Sequence, residues 1–125
     1  MSTARHIIEA DATIPDQQLN QQILSEDALG AFEKFYAEDV VMQENLDAPR
    51  VGKTANRKAE QEFFATVEQL HGARLLGSAV NGETSYSEWE YDVTFKGGQR
   101  VTLTQVAARR WKNGKVVHER FYYSK

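Results

Sequence analysis

The first half of the chain repeats its apolar residues at the spacing of an α-helix. After Pro15, a residue that suits the first turn of a helix, leucine and isoleucine recur at helical spacing, and Ser25 stands where it can cap a second helix. We therefore predict two helices, or one bent helix, over residues 16–37. The same spacing returns over residues 54–71, which end in a histidine and are followed by glycine, and it predicts a third helix.

The second half of the chain follows the period of a β-strand. A β-branched run at residues 40–42 predicts one short strand before the third helix, with a loop over residues 45–52. From Ala73 onward polar and apolar residues alternate, and turn signals separate four such runs at Asn81-Gly82, Gly97-Gly98 and Asn113-Gly114. The fold class is therefore predicted to be α+β, with the N-terminal helices covering one face of a twisted, antiparallel sheet.

Length and composition are those of one ordinary globular domain. The chain has 125 residues, of which 41% are hydrophobic and 26% are charged, and this composition excludes a disordered or fibrous protein. We assign residues 16–125 to a single domain. Residues 1–15 are mostly polar, and we expect them to form a mobile arm.

Charge and cysteine content narrow the classes of partner. A net charge of −3 provides no positive field for phosphate backbones or anionic lipids, so we expect neither a nucleic-acid nor a membrane partner. The chain has no cysteine, which excludes disulfides, thiolate nucleophiles and thiolate metal sites. The apolar run at residues 7–8 is too short for a signal peptide or a membrane span, and we expect a cytoplasmic protein.

Alternation in the last three strands predicts which side chains share a face. In the run 85–95 the odd positions from 89 to 95 are apolar, and the even positions 88, 90 and 92 are acidic, so the odd side faces the core. A two-residue turn at Asn113-Gly114 would pair odd residues with even ones, so we predict a three-residue loop with Trp111 opposite Lys115. The rows of the inner face are then Tyr91, Leu103 and Tyr123; Trp89, Gln105 and Phe121; Ser87, Ala107 and Glu119.

The last of these rows places a carboxylate on the inner face beside two small residues. Burying an ionised carboxylate without partners costs several kcal/mol, so Glu119 must be paired, protonated or hydrated. Arg109 is predicted to lie diagonally from it. Two interpretations remain open: a Glu119–Arg109 ion pair at the wet end of the core, or a pair of groups that face a ligand.

The even-numbered face of the sheet predicts an interface. Glu88, Glu90 and Asp92 line one side, His118 and Arg120 line the other, and small or β-branched residues lie between them. We expect an isologous homodimer in which the acidic strand of one subunit meets the basic strand of its partner. The alternative is a solvated sheet face.

Three segments of the chain resemble a known superfamily. They are residues 35–44 (FYAEDVVMQE), 49–53 (PRVGK) and 110–117 (RWKNGKVV), and with the order of elements the likeness spans about residues 16–125. The chain resembles the nuclear transport factor 2-like proteins, which include ketosteroid isomerases and SnoaL-like polyketide cyclases. The resemblance implies a cone-shaped α+β barrel, in which the helices pack in the concave face of a curved, mostly antiparallel sheet and leave an apolar cavity. It also implies a dimer formed through the sheets.

The resemblance also implies a site, although with departures. It puts Glu44 at the general-base position of ketosteroid isomerases, with Met42 also facing inward. The two oxyanion-binding donors of those enzymes are missing, because Asn20 falls near the place of the tyrosine and Ala107 at the place of the aspartate. A likeness to epoxide hydrolases fails too, since Phe121 stands at the position of the water-activating aspartate.

Two functional hypotheses follow from these residues. The first is a cofactor-free isomerase, cyclase or lyase that moves protons on a small apolar carbonyl compound, with Glu44 as base and Glu119 as second acid–base group. The second is a non-catalytic module that binds a small ligand in the same cavity. The histidines at positions 6, 71 and 118 lack metal-ligand spacing, so we expect no metal. The predicted substrate-binding residues are Met42, Phe63, Trp89, Tyr91, Gln105, Arg109, Phe121 and Tyr123.

Overall fold

Three helices lie on one face of a six-stranded sheet. The computed structural model describes residues 11–124. The strand order is β2-β1-β6-β5-β4-β3, and all neighbours are antiparallel except the parallel pair β1 and β6. The predicted α+β class is confirmed. The elements are α1 (Thr13–Leu24), α2 (Ala28–Phe35), β1 (Tyr36–Glu44), β2 (Arg50–Val51), α3 (Lys53–Ala65), β3 (Val67–Asn81), β4 (Thr84–Phe95), β5 (Arg100–Lys112) and β6 (Lys115–Tyr122).

The N-terminal helix begins earlier than its sequence pattern indicates. Most of the predicted mobile arm lies outside the described residues, but its last three residues form the first turn of α1. The side chain of Asp11 accepts a hydrogen bond from the backbone N–H of Thr13, at 2.6 Å. The backbone N–H of Ala12 donates to the carbonyl of Gly82 at 2.8 Å, which ties this segment to the β3–β4 turn. Residues 13–15, which the sequence pattern placed in the arm, are thus part of the helix.

The third helix is shorter than predicted, because residues 67–71 belong to β3. The helix ends at Ala65, and β3 pairs with β4 from Val67 opposite Phe95. Two register shifts occur between Val67 and Gly72, and each adds a residue to β3. Because of these extra residues, apolar residues of β3 recur every three positions instead of every two. In the sequence this spacing resembles that of a helix.

The predicted faces of the last three strands are correct, but one register is not. Trp89 lies opposite Gln105, as expected, and the backbone N–H of Phe95 donates to the carbonyl of Gln99 at 2.8 Å. Between β5 and β6 the structure has the two-residue turn that the sequence analysis rejected, with Lys112 opposite Lys115.

A β-bulge in β6 keeps the odd-numbered residues of β5 and β6 on the same face despite this turn. Asn113 and Gly114 adopt φ angles of 52° and 75°, the left-handed conformation of a two-residue hairpin turn. The register then shifts between Arg110 and Trp111, so that odd residues again face odd residues. The rows are displaced by two positions, and Arg109 lies directly opposite Glu119 instead of diagonally from it.

The hydrophobic core lies between α1, α2 and the β1–β6 part of the sheet. It contains Leu19, Phe32, Phe35, Tyr36, Val40, Met42, Trp111 and Val116, all of them buried. The even-numbered face carries the acidic and basic strands as predicted, although Glu90 and Asp92 form ion pairs with Arg74 and Arg100 of the same chain. Within the described residues, no helix is long and apolar enough to cross a membrane.

Candidate active site

A cavity of about 910 Å³ lies between the helices and the inner face of the sheet. Its walls are mostly apolar. The cavity opens to the surface beside the partly exposed side chains of Leu29 and Phe63. A space of this size accommodates a drug-sized molecule. Among the predicted site residues, those that line it are Glu44, Phe63, Trp89, Tyr91, Gln105, Arg109, Glu119, Phe121 and Tyr123.

Met42 is the predicted site residue that does not line the cavity. Its side chain is 1% exposed and belongs to the hydrophobic core. The reason is their position along β1. Met42 and Glu44 share a face of the strand but lie about 7 Å apart along it. Glu44, the last residue of the strand, reaches the cavity, whereas Met42 packs in the core.

Arg109 and Glu119 form the centre of a buried polar network. Arg109 Nε donates to Glu119 Oε2 at 2.8 Å, and both side chains are almost completely buried. Arg109 Nη1 donates to Asp16 Oδ1 at 2.9 Å and to Asn20 Oδ1 at 2.6 Å. The guanidinium therefore bridges a carboxylate of β6 to one of α1, which satisfies the condition for burying these charges.

A tyrosine completes the environment of Glu119. The hydroxyl of Tyr36 donates to Glu119 Oε1 at 2.5 Å, and both residues line the cavity. Burial raises the pKa of Glu119, an effect that the positive charge of Arg109 partly offsets. Burial and the negative charge of Glu119 also raise the pKa of Tyr36. The sequence has no tyrosine at the position used by ketosteroid isomerases, but the tertiary structure brings Tyr36 to a carboxylate.

The network continues away from the cavity into the core. Ser85 donates to Asp16 Oδ1 at 2.6 Å and accepts a hydrogen bond from Trp111 Nε1 at 2.9 Å. Every fully enclosed side-chain nitrogen or oxygen of the described residues has a hydrogen-bond partner. The network is thus complete on its inner side and holds the guanidinium in one orientation.

Glu44 occupies another part of the cavity wall and is paired. Its Oε2 lies 3.0 Å from Arg50 Nη2, and the hydroxyl of Tyr123 lies 3.4 Å from its Oε1. Arg50 is held in turn by Asn56, whose Oδ1 accepts from Arg50 Nε at 3.1 Å. Asn56 is fully buried and donates to carbonyls of β1, β2 and the following turn, so it fixes α3 against the strand edge.

Glu60 of α3 is a cavity carboxylate that was not among the predicted site residues. No described residue forms a hydrogen bond or an ion pair with it. Burial, followed by the negative charges of Glu119 and Glu44, raises its pKa from 4.5 to about 7. Its position was readable in principle, because Glu60 lies four residues after the buried Asn56 and three before Phe63 on the inner stripe of the helix.

The aromatic residues of the cavity form an ordered wall. The rings of Trp89 and Tyr91 are stacked, with centroids 5.8 Å apart and an interplanar angle of 4°. Trp89 is fully buried, and its Nε1 donates to Ser87 at 2.8 Å. Such a wall offers a flat apolar surface to a ligand. Within residues 11–124, no group of three histidine, aspartate or glutamate side chains is placed to hold a metal ion.

Comparison with known proteins identifies the family. The sequence matches the model of the SnoaL-like domain over residues 19–123. A protein of Mesorhizobium loti, provisionally named a SnoaL-like polyketide cyclase, is 32% identical, with a TM-score of 0.80 over 89% of this chain and 97% of that chain. No curated protein matches the chain.

More distant structures share the fold alone. An NTF2-like protein of unknown function from Burkholderia pseudomallei is 16% identical, with a TM-score of 0.76 over 90% of this chain and 89% of that one. A hypothetical protein with a ketosteroid isomerase-like fold from Catenulispora acidiphila, in complex with trimethylamine, is also 16% identical, with a TM-score of 0.67 over 77% and 75%. By its sequence and its nuclear transport factor 2-like fold, the chain belongs to the family of SnoaL-like domains.

Proposed function

We propose that this protein is a cofactor-free acid–base catalyst that moves a proton on a small apolar carbonyl compound bound in the cavity, with Glu60 as the base. The observation that carries the proposal is a carboxylate in a largely apolar cavity that no residue of the described part of the chain binds. A group with a pKa of about 7 is present in both protonation states at neutral pH, so it can accept a proton and return it. Isomerases, cyclases and lyases of this kind all need such a step.

The proposed base is Glu60, whereas the sequence favoured Glu44. Glu44 is held by Arg50 and contacted by Tyr123. Glu60 lines the same cavity, and no described residue binds its carboxylate. Glu119 is bound by Arg109 and Tyr36, so its role is to orient these two groups. Burial, followed by the negative charges of Glu119 and Glu44, raises the pKa of Glu60 and makes it a stronger base.

The remaining predicted residues bind the substrate. The stacked Trp89 and Tyr91, together with Phe63 and Phe121, offer apolar surface to its ring system. Gln105 and Tyr123 are polar and line the same space, so they orient the substrate. The ligand-bound Catenulispora protein and the polyketide cyclase name of the Mesorhizobium protein support a small-molecule role for the cavity.

The second candidate is a non-catalytic module that binds a small ligand. The ion pairs of Glu44 and Glu119 favour it, because paired carboxylates are already satisfied without any catalytic role. The two candidates differ in what they require of Glu60. A carrier needs the shape of its side chain, whereas a catalyst needs its proton affinity.

The test is proton exchange measured by NMR in D₂O. An enolisable aromatic ketone such as 2-tetralone is incubated with the wild type and with Glu60→Gln, Glu44→Gln and Glu119→Gln. Because a general base contributes ~10²- to 10⁴-fold, Glu60→Gln will lose at least about 100-fold of the exchange rate while it still binds the ketone. Glu62→Gln, which removes an exposed carboxylate of the same helix, will exchange like the wild type.

Two results would decide against this assignment. If Glu60→Gln keeps the full exchange rate and Glu44→Gln loses it, the base is Glu44, as the sequence indicated. If the wild type binds such ketones but none of them exchanges faster than in buffer, the carrier function is correct.

A further inference from the structure

One nitrogen of the buried guanidinium of Arg109 has no hydrogen-bond partner among the described residues. Arg109 donates from Nε to Glu119 and from Nη1 to Asp16 and Asn20. Among residues 11–124, none accepts a hydrogen bond from Nη2. An arginine has five N–H donors, so two of them stay unused on a side chain that is 2% exposed.

The open side of Nη2 is the cavity. Every fully enclosed side-chain nitrogen of the described residues has a partner, so an unpartnered Nη2 must border open space. Arg109 lines the cavity, and its other side is occupied by Asp16 and Asn20 of α1. The two free N–H groups therefore lie at the cavity wall in an orientation that the network fixes.

The hydroxyl of Tyr36 cannot perform the same task. It carries one proton, and this proton is donated to Glu119 at 2.5 Å. A ligand oxygen that approaches this end of the cavity meets a donor at Arg109 but only lone pairs at Tyr36. Arg109 is thus the charged donor that this end offers to a ligand.

The surrounding charges decide which kind of oxygen can bind there. Both Asp16 and Glu119 lie within 3 Å of the guanidinium, so its positive charge is already matched by two carboxylates. The cavity wall carries two arginines, at positions 50 and 109, against five carboxylates, at positions 26, 27, 44, 60 and 119. An anionic ligand would meet an excess of negative charge.

We infer that Arg109 Nη2 is the oxygen-binding donor of the cavity, and that it takes a neutral carbonyl oxygen of an aromatic or alicyclic ketone and excludes carboxylates. This inference rests on the proposed function and adds to it the site of the carbonyl oxygen and the charge of the substrate. It makes Arg109 a substrate-contacting residue, with Asp16, Asn20 and Glu119 as positioning residues. Negative charge that develops on the oxygen during proton removal would be stabilised by the same two N–H groups.

The test compares two probes with the same ring system. The neutral probe is 2-acetylnaphthalene, carrying ¹³C in its carbonyl group, and the anionic probe is 2-naphthoate. We expect the ketone to bind at least ~100-fold more tightly than the carboxylate at neutral pH, because like charges across a binding site cost several kcal/mol. Binding is followed by calorimetry with the wild-type protein.

Infrared spectroscopy reports the contact itself. The ¹³C carbonyl stretch of the bound ketone will lie at a lower frequency than in hexane, because a hydrogen bond from a charged donor weakens the C=O bond. In Arg109→Lys, which keeps the charge and removes Nη2, this shift will be lost, with folding checked by circular dichroism. Arg50→Lys is the matched control, since it makes the same replacement at the other arginine of the cavity wall and will leave the shift unchanged.

The carbonyl frequency and the two affinities are measured on the wild type. They test the inference even if Arg109→Lys fails to fold. Four results would each overturn it. They are a carbonyl frequency equal to that in hexane, a shift that disappears in Arg50→Lys instead, no binding of the ketone, and equal binding of naphthoate. The proposed function fails separately. In that case the carbonyl shift is present, but no ketone exchanges its protons in an enzyme-dependent way.

Discussion

Replacing Glu60 by glutamine will change how the stability of the protein depends on pH. In the folded chain the pKa of Glu60 is about 7, whereas the same group has a pKa of 4.5 when it is free in water. The folded state therefore binds a proton that the unfolded state has released between these two values. Because the pKa is raised on folding, the wild type loses stability as the pH rises through this window and levels off above it.

The size of the effect follows from the two pKa values. The gap between 4.5 and about 7 corresponds to about 3 kcal/mol of the free energy of unfolding. Water that reaches Glu60 through the cavity reduces this figure, so about 3 kcal/mol is an upper limit. Below the lower pKa the carboxyl is protonated in both states, and Glu60→Gln will have nearly the stability of the wild type. Above the higher pKa the variant will be more stable by 1 kcal/mol or more, up to about that limit.

Urea unfolding at a series of pH values measures this difference. The raised pKa of Glu119 contributes to the pH dependence of both proteins, so it largely cancels in the comparison. Glu62→Gln is the matched control, because its side chain is 67% exposed and it is four residues from Lys58 on the outside of the same helix. If Glu60→Gln and the wild type keep the same difference in stability at every pH, or if a ¹³C NMR titration of Glu60 has its midpoint near 4.5, the reasoning about this group is wrong.

Three further predictions concern stability and assembly. The side chain of Asp27 caps α2 by accepting from the backbone N–H of Gly30 at 3.1 Å, so Asp27→Ala will lower the free energy of unfolding by about 1 kcal/mol in urea titrations, and an unchanged midpoint would contradict this. Ser85→Ala leaves Trp111 Nε1 without a partner in the core and removes one of the two hydrogen bonds that Asp16 Oδ1 accepts, and it will cost about 1 to 3 kcal/mol by the same assay, whereas a cost near zero would show that the network contributes little. The even-numbered sheet face is expected to form an isologous dimer, so light scattering will give twice the mass of the chain, and Val106→Asp in the middle of that face will give a monomer; a wild-type monomer at micromolar concentration contradicts the dimer.

The faces of the strands were readable from the sequence because alternation is a local property. Each side chain of a strand points away from its neighbours, so the apolar odd positions of residues 85–95 indicate the buried face without any knowledge of the partner strand. The same property placed Arg109 and Glu119 correctly on the inner face, although the register between their strands was predicted wrongly. An error of two positions changes the neighbours of a residue but leaves its face unchanged.

Only the tertiary structure determined which partners the inward-facing Arg109 and Glu119 have. Glu119 meets Tyr36 across 83 positions of the chain, and Arg109 meets Asp16 across 93. These contacts depend on the parallel pairing of β1 with β6 and on the bulge in β6, and neither has a signal in the local pattern. The raised pKa of Glu60 arises in the same way, since burial under the neighbouring elements and the charges of two distant carboxylates act on it through space. Hydrophobic periodicity reports which side of an element is buried, whereas the chemistry of a site depends on which buried sides come together.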